Sequence, residues 1–264
     1  MVVILLCFIL VLLRILLSCN IRDELTMEAY NLMKDNGIEL ANIIVHAPYI
    51  VNLANSKNFD FSVSFLINEV ERCSMLGCKY LVLHPGSSVG LMKDIAIKNI
   101  IDGLNLILNN NYNVTILLET MAGKGSEIGS SFEEINTIIT GVKFKDKIGV
   151  CLDTCHINDA GYDISNFDNV LNEFNNIIGL NYLKCIHIND SINIKGSHKD
   201  RHANLGYGTF GFSKLINVIY NKRLSHVPFI LESPYVNRNT KDEYPPYKYE
   251  IEMIRKKEFI DFIQ

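Results

Sequence analysis

Nine residues of the types that bind metals stand at the ends of apolar runs or in the loops just beyond them. Six close the runs: His46 after IIV, His84 after LVL, Glu119 after ILL, Asp153 after GVCL, His187 after KCI and Glu232 after FIL. Three follow in adjacent loops: His156 in CLDTCH, and Asp200 and His202 in KDRHAN. The set takes five of the seven histidines of the chain. Imidazole mixed with carboxylate favours zinc, with manganese or iron as alternatives, whereas an all-oxygen set favours magnesium or calcium. Nine ligands exceed the needs of one tetrahedral ion and suit two or three ions with a bridging carboxylate. Clustered divalent ions suit phosphoester hydrolysis, because they polarise phosphoryl oxygens, lower the pKa of water and stabilise the leaving oxygen.

The elements that must position these residues are legible around them. The six runs recur at the spacing of a strand, a helix and their loops, roughly 30 residues or more. Each run is short and apolar without polar alternation, as in parallel strands covered by helices. Helical periodicity fills the intervals: residues 61–77 ended by Gly77, 93–108, a helix opened by a Ser131–Glu134 capping box and running to about Thr140, a helix through Phe167, Val170, Leu171, Phe174 and Ile178, and one through Leu215, Ile216 and Ile219. A helix is expected over about 24–36 and a terminal one over 248–262. This alternation predicts an α/β fold, a TIM-type (β/α)8 barrel, whose C-terminal mouth gathers strand-end residues into one site. The 264 residues fit one such barrel.

The count falls short at the N-terminus, where six strands are clear and the first one or two are missing or replaced. Residues 1–19 are almost entirely apolar, with Arg14 the one charge. A signal or anchor is disfavoured: no positive segment precedes the run, and Arg14 interrupts it. A displaced start or frame is the favoured reading, with at most one strand supplied by the run. Two regions result: an atypical apolar segment, 1–24, and a barrel domain, 25–264. The seven cysteines form no CxxC pair and no dense framework, so reduced, mostly buried thiols are expected, Cys151 among them as a packing residue.

At 48% hydrophobic and 20% charged, the chain can bury a large core. Its net charge of −4 argues against a simple electrostatic DNA binder, but bound cations can supply positive charge locally.

The segments HAPYIVNLAN (46–55), LVLHPGS (81–87), ILLET (116–120), GVCLDTCHINDAGYD (149–163), IHINDS (186–191), GSHKDRHANLGYG (196–208) and LESP (231–234), in this order, resemble the endonuclease IV family of apurinic/apyrimidinic (AP) endonucleases. The resemblance implies a barrel with three zinc ions that hydrolyses double-stranded DNA 5′ to an abasic site, leaving a 3′-hydroxyl and a 5′-deoxyribose phosphate, and that trims blocked 3′ ends in base-excision repair. It assigns His46, His84 and Glu119 to a first ion, with Glu119 bridging to a second completed by Asp153, His187 and Glu232. His156, Asp200 and His202 fall to a third. Glu119 would assist the attack on phosphorus. Tyr49 and Asn52 lie in the loop that this family presses into the minor groove at the lesion. Lys195, Lys199 and Arg201, beside two of the ligands, are candidate phosphate contacts. The family's Gly-rich first turn and its Asn-Pro-Arg-like loop are not recognisable, and Tyr207 stands in GYG where an acidic residue is common. A monomer without protein partners, in the cytoplasm or at the nucleoid, is expected. Two rivals remain: a sugar isomerase or epimerase of the related barrel group, and an inactive DNA- or metal-binding remnant.

Overall fold

The computed structural model describes residues 4–6, 8–9 and 23–263. Its strands are β1 (Ile4–Leu6), β2 (Phe8–Ile9), β3 (Ile44–His46), β4 (Tyr80–Leu83), β5 (Thr115–Glu119), β6 (Ile148–Asp153), β7 (Leu183–His187), β8 (Asp190–Ser191), β9 (His202–Ala203) and β10 (Phe229–Leu231). Its helices are α1 (Asp23–Asp35), α2 (Phe59–Met75), α3 (Lys93–Leu108), α4 (Phe132–Gly141), α5 (Thr154–Ala160), α6 (Phe167–Ile177), α7 (Phe212–Ile219) and α8 (Tyr247–Lys256). One sheet runs β1-β10-β7-β6-β5-β4-β3-β2, with every pair parallel.

The two ends of that row are neighbours in sequence. Ile4–Leu6 pairs with Phe229–Leu231, and Phe8–Ile9 pairs with Val45 and His46. Two short strands of the apolar run therefore meet the two edges of the six-strand row, where the sequence reading allowed at most one strand. Cys7 and Cys19, like most of residues 1–22, lie outside the described residues.

Successive residues of a strand point to opposite faces, and here the two faces do different work. Ile44, Val82, Leu117, Cys151, Cys185 and Ile230, one from each of β3 to β7 and β10, pack together as a separate inner layer. Their neighbours Val45, Leu81, Leu83, Ile116, Leu118, Val150, Leu152, Ile186, Phe229 and Leu231 belong to the larger outer core shared with the helices. α2 and α3 supply Leu66, Val70, Ile100 and Leu104 to it, and α4 and α6 supply Phe132, Ile135, Phe174 and Leu171. Cys151 packs in the inner layer, and its thiol also lies with Cys185 and His187 in a group of possible metal ligands.

Two helices differ most from the sequence reading in their boundaries. The first long helix begins two residues earlier, at Phe59, and ends at Met75 ahead of Gly77, whose positive φ stops it. The terminal helix ends at Lys256 rather than near 262. Lys257 takes a left-handed φ of 56°, and the Glu258 N–H donates to the Met253 carbonyl. Beyond it, the Tyr207 hydroxyl accepts from the Phe262 and Ile263 N–H groups and donates to Asp261. Tyr207 therefore secures the C-terminal segment, a role its neighbouring motif does not reveal. Of the capping box at α4, Ser131 accepts from the Glu134 N–H, while the Glu134 carboxylate accepts from the Gly129 and Ser130 N–H groups.

Candidate metal centre

Each of the six strand-end residues sits two positions beyond a member of the inner layer: Ile44 and His46, Val82 and His84, Leu117 and Glu119, Cys151 and Asp153, Cys185 and His187, Ile230 and Glu232. With a side-chain period of two, this register places all six on the barrel axis, one layer above the apolar plug.

The side chains meet there. Glu119 is fully buried and central. Its Oε2 lies 3.0 Å from His46 Nε2 and 3.1 Å from His84 Nε2. Its Oε1 lies 2.9 Å from His187 Nδ1 and 3.4 Å from His156 Nδ1. His187 Nδ1 is also 3.0 Å from Glu232 Oε2 and 3.9 Å from Asp153 Oδ2. On the other side, Asp200 Oδ1 lies 3.1 Å from His156 Nε2 and 3.5 Å from His202 Nε2. Within the nine residues, three groups with ligand atoms mutually within 4.8 Å result: His46–His84–Glu119, Glu119–Asp153–His187–Glu232 and His156–Asp200–His202; two further groups draw in cysteines, Cys151–Cys185–His187 and Asp153–Cys155–His202. Burial is graded across them, from Glu119, Asp153 and His187 at zero exposure to Asp200 at 30%.

The ring tautomers test whether cations fit. His46 Nδ1 lies 2.7 Å from the Ala47 carbonyl, His156 Nδ1 2.8 Å from the Thr120 carbonyl, and His202 Nδ1 3.3 Å from the Glu232 carbonyl. A carbonyl only accepts, so each Nδ1 carries the hydrogen, and in a neutral ring Nε2 presents a lone pair. Those lone pairs aim at carboxylate oxygens of Glu119, Asp200 and Asp153, an arrangement that is repulsive unless a cation lies between or the rings are charged. Carbonyl-fixed tautomers of this kind are the usual second layer of a metal site. The nine donors, five imidazoles and four carboxylates, fit zinc-type chemistry.

Without cations the same geometry perturbs the titrations. Burial opposes charge on Glu119, but His187 and His84 outweigh it and hold its carboxyl well below the usual range. Burial likewise opposes charge on Glu232, and His187 brings it down to about 2. His156 lies well above the ordinary imidazole value despite its burial, because Asp153, Asp200 and Glu119 surround it.

Asp153 is held from two sides. Its Oδ1 caps α5 by accepting from the His156 N–H at 2.8 Å, and its Oδ2 accepts from Asn189 Nδ2 at 2.6 Å. The Asn189 Oδ1 accepts in turn from the Glu232 N–H, and Thr120 Oγ1 from the Asp153 N–H. Sequence reasoning missed Asn189 and Thr120. The signal available was a polar residue one or two positions after a ligand, Thr120 after Glu119 and Asn189 after His187.

The remaining predicted residues lie around the mouth. Tyr49 is 75% exposed, with its ring edge-on to His84 at 5.0 Å. Lys195, Lys199 and Arg201 are exposed on the loop between β8 and β9 that carries Asp200. Asn52 is occupied within the protein: Oδ1 accepts from the Ser87 and Ala54 N–H groups, and Nδ2 donates to the Ser87 carbonyl. It ties the loop after β3 to the loop after β4. Gly86 allows that approach, because a Cβ there would collide with Asn52 Oδ1.

Residues 18–257 match the family described as xylose isomerase-like TIM barrel. A Bacillus subtilis protein named "Probable endonuclease 4" is 51% identical over 244 residues, which cover 90% of this chain and 82% of that protein. The chain belongs to the endonuclease IV family. A Bacillus anthracis member of the same name is 53% identical over 239 residues, 88% of this chain and 80% of that protein. The crystal structure of endonuclease IV from Thermus thermophilus superposes with a TM-score of 0.73 at 29% identity, over 90% of this chain and 83% of that one. A D-tagatose 3-epimerase-like protein shares the fold at 21% identity and a TM-score of 0.66. The match to the xylose isomerase-like TIM barrel family begins at residue 18, so most of the apolar run precedes it.

Proposed function

We propose that this endonuclease IV-family protein is a zinc-dependent AP endonuclease of base-excision repair, with its nine strand-end and loop ligands holding three ions. It cleaves the DNA backbone 5′ to an abasic site, leaves a 3′-hydroxyl and a 5′-deoxyribose phosphate, and trims blocked 3′ ends. The observation that carries this reading is the shared use of Glu119: one buried carboxylate lies between two imidazole groups at the barrel mouth, in a chain half identical to endonuclease 4 proteins.

Bound divalent ions supply Lewis-acid polarisation of the phosphodiester and lower the pKa of water. The protein's residues supply position. Glu119 lies between the His46–His84 and His187–Glu232 pairs, so its carboxylate would serve as a ligand to both groups and is placed to accept a proton there. Asp153 is fixed by Asn189 and by the start of α5, which keeps the second and third groups in register. Tyr49 stands exposed above the first group, where a ring can stack in the gap left by a missing base. Lys199 and Arg201 are placed to meet phosphates, and Asn52 shapes the Tyr49 loop from behind. A DNA substrate supports a location in the cytoplasm or at the nucleoid; no helix among the described residues is long and apolar enough to cross a membrane.

The test is incision of a duplex carrying one tetrahydrofuran abasic analogue. We expect a single cut 5′ to the analogue that a chelator abolishes and added zinc restores. Full metal loading without any cut would refute the endonuclease reading. Incubation with a ketose and manganese should give no isomer.

A further inference from the structure

Asp159 lies one turn beyond His156 on α5, outside the nine-residue set, and is completely buried. Its carboxylate has no cationic side chain beside it among the hydrogen bonds and ion pairs of the described residues; four donors satisfy it instead. Oδ1 accepts from Ser191 Oγ at 2.9 Å and Asn158 Nδ2 at 3.0 Å. Oδ2 accepts from Asn193 Nδ2 at 2.9 Å and from the Asp200 backbone N–H at 3.0 Å. The Asp159 carbonyl accepts from the His198 N–H, and the Asn158 carbonyl from the Gly196 N–H. One turn of α5 therefore grips residues 191–200, the segment that delivers Asp200.

That grip acts on an unfavourable backbone. His198 and Asp200 adopt φ values of 53° and 54°, in the left-handed region that costs a non-glycine residue energy. Such a conformation persists only where its surroundings impose it, and at Asp200 the imposing bond is the one to Asp159. The result is Asp200 Oδ1 poised within 3.5 Å of both His156 Nε2 and His202 Nε2.

Resting on the metal-centre reading above, we infer that Asp159 is the positioning residue of the third ion: it holds the Asp200 loop in the liganding conformation without touching metal or substrate. The chemistry predicts which substitutions matter. Alanine removes all four acceptor contacts. Asparagine keeps one oxygen, which can face the Asp200 N–H, while its amide turns toward Ser191, whose hydroxyl can rotate to accept, and Asn158, whose amide can flip.

The experiment titrates the full-length, metal-stripped protein with zinc against a chelating dye, with elemental analysis after dialysis and Co2+ absorption as a spectroscopic check. Asp159→Ala should weaken the weakest-bound ion about 10–100-fold and lose it on dialysis, with the other ions and their Co2+ bands retained. Asp159→Asn should restore most of that binding. Asn193→Ala, which removes one tether and leaves the carboxylate, should shift the same ion in the same direction by less, and serves if the alanine variant does not fold. An unchanged complement in Asp159→Ala, or loss of all ions in step, would overturn the inference. A wild-type protein that binds no ion at all would instead remove the metal-centre reading, and this inference with it.

Discussion

Replacing Glu119 by glutamine probes the centre most directly. The substitution keeps the shape of the side chain but removes its charge and turns one oxygen into an amide donor. Oε2 now lies 3.0 and 3.1 Å from His46 and His84, and Oε1 lies 2.9 Å from His187. Wherever the amide settles, it takes the place of an oxygen in one of the two groups that Glu119 joins, so the proposed bridge would be lost in either orientation. Loss of a positioned general base costs about 10²–10⁴-fold in rate, which is roughly 3–5 kcal/mol of barrier at 1.36 kcal/mol per decade. A weakened bridging ligand lowers metal affinity further. The assay is single-turnover incision of the abasic duplex at saturating zinc, with ions counted on the same samples. We expect at least a hundredfold loss of rate that excess zinc does not rescue. A variant that keeps more than a tenth of the rate with a full complement of ions would show that Glu119 neither bridges nor takes the proton.

Four further outcomes follow from the geometry. Tyr49→Ala should weaken binding to an abasic duplex by about 1–3 kcal/mol, the worth of one stacking ring, with ion content unchanged; equal binding in a gel-shift titration would rule the stacking role out. Asn52→Ala should act on stability, leaving the Ser87 and Ala54 N–H groups without their acceptor at a cost of about 1–3 kcal/mol, read from the urea midpoint. Acidification should strip the metal and alkalinity should weaken the metal-free protein. His156 and His187 are raised in the metal-free cluster, so their stabilising charge is fully present below about pH 6.5 and is lost as pH rises through their folded values. Glu232, depressed to about 2, contributes above the unfolded carboxylate range near 4.3 and loses that contribution as pH falls toward 2. Melting temperature of the metal-free protein should therefore peak between about pH 4.3 and 6.5, while zinc shifts the optimum upward; a metal-free profile that rises steadily past pH 7 would contradict this. Tyr207→Phe should speed hydrogen exchange at Phe262 and Ile263, whose N–H groups it now accepts from, while incision is unchanged.

The sequence alone determined the barrel class and the identity of the six axial residues, because short apolar runs at strand–helix spacing and a polar residue closing each run are local features. Period-two alternation even dictates that each ligand shares a face with the residue two positions before it. The sequence did not reveal that those earlier residues form a common plug, since that depends on the register between strands. The tertiary structure decided the rest. It showed that the apolar run near the N-terminus meets both edges of the six-strand row, one of them at Phe229–Leu231, more than two hundred residues along the chain. It showed Asn52, a candidate DNA contact in the sequence, to be a clamp between two loops. It revealed Asn189, Thr120 and Asp159, whose hydrogen-bond partners lie on other elements. Ligand types can be read from strand ends, but the bonds that hold ligands in place join distant parts of the chain and exist only once the barrel has brought them together.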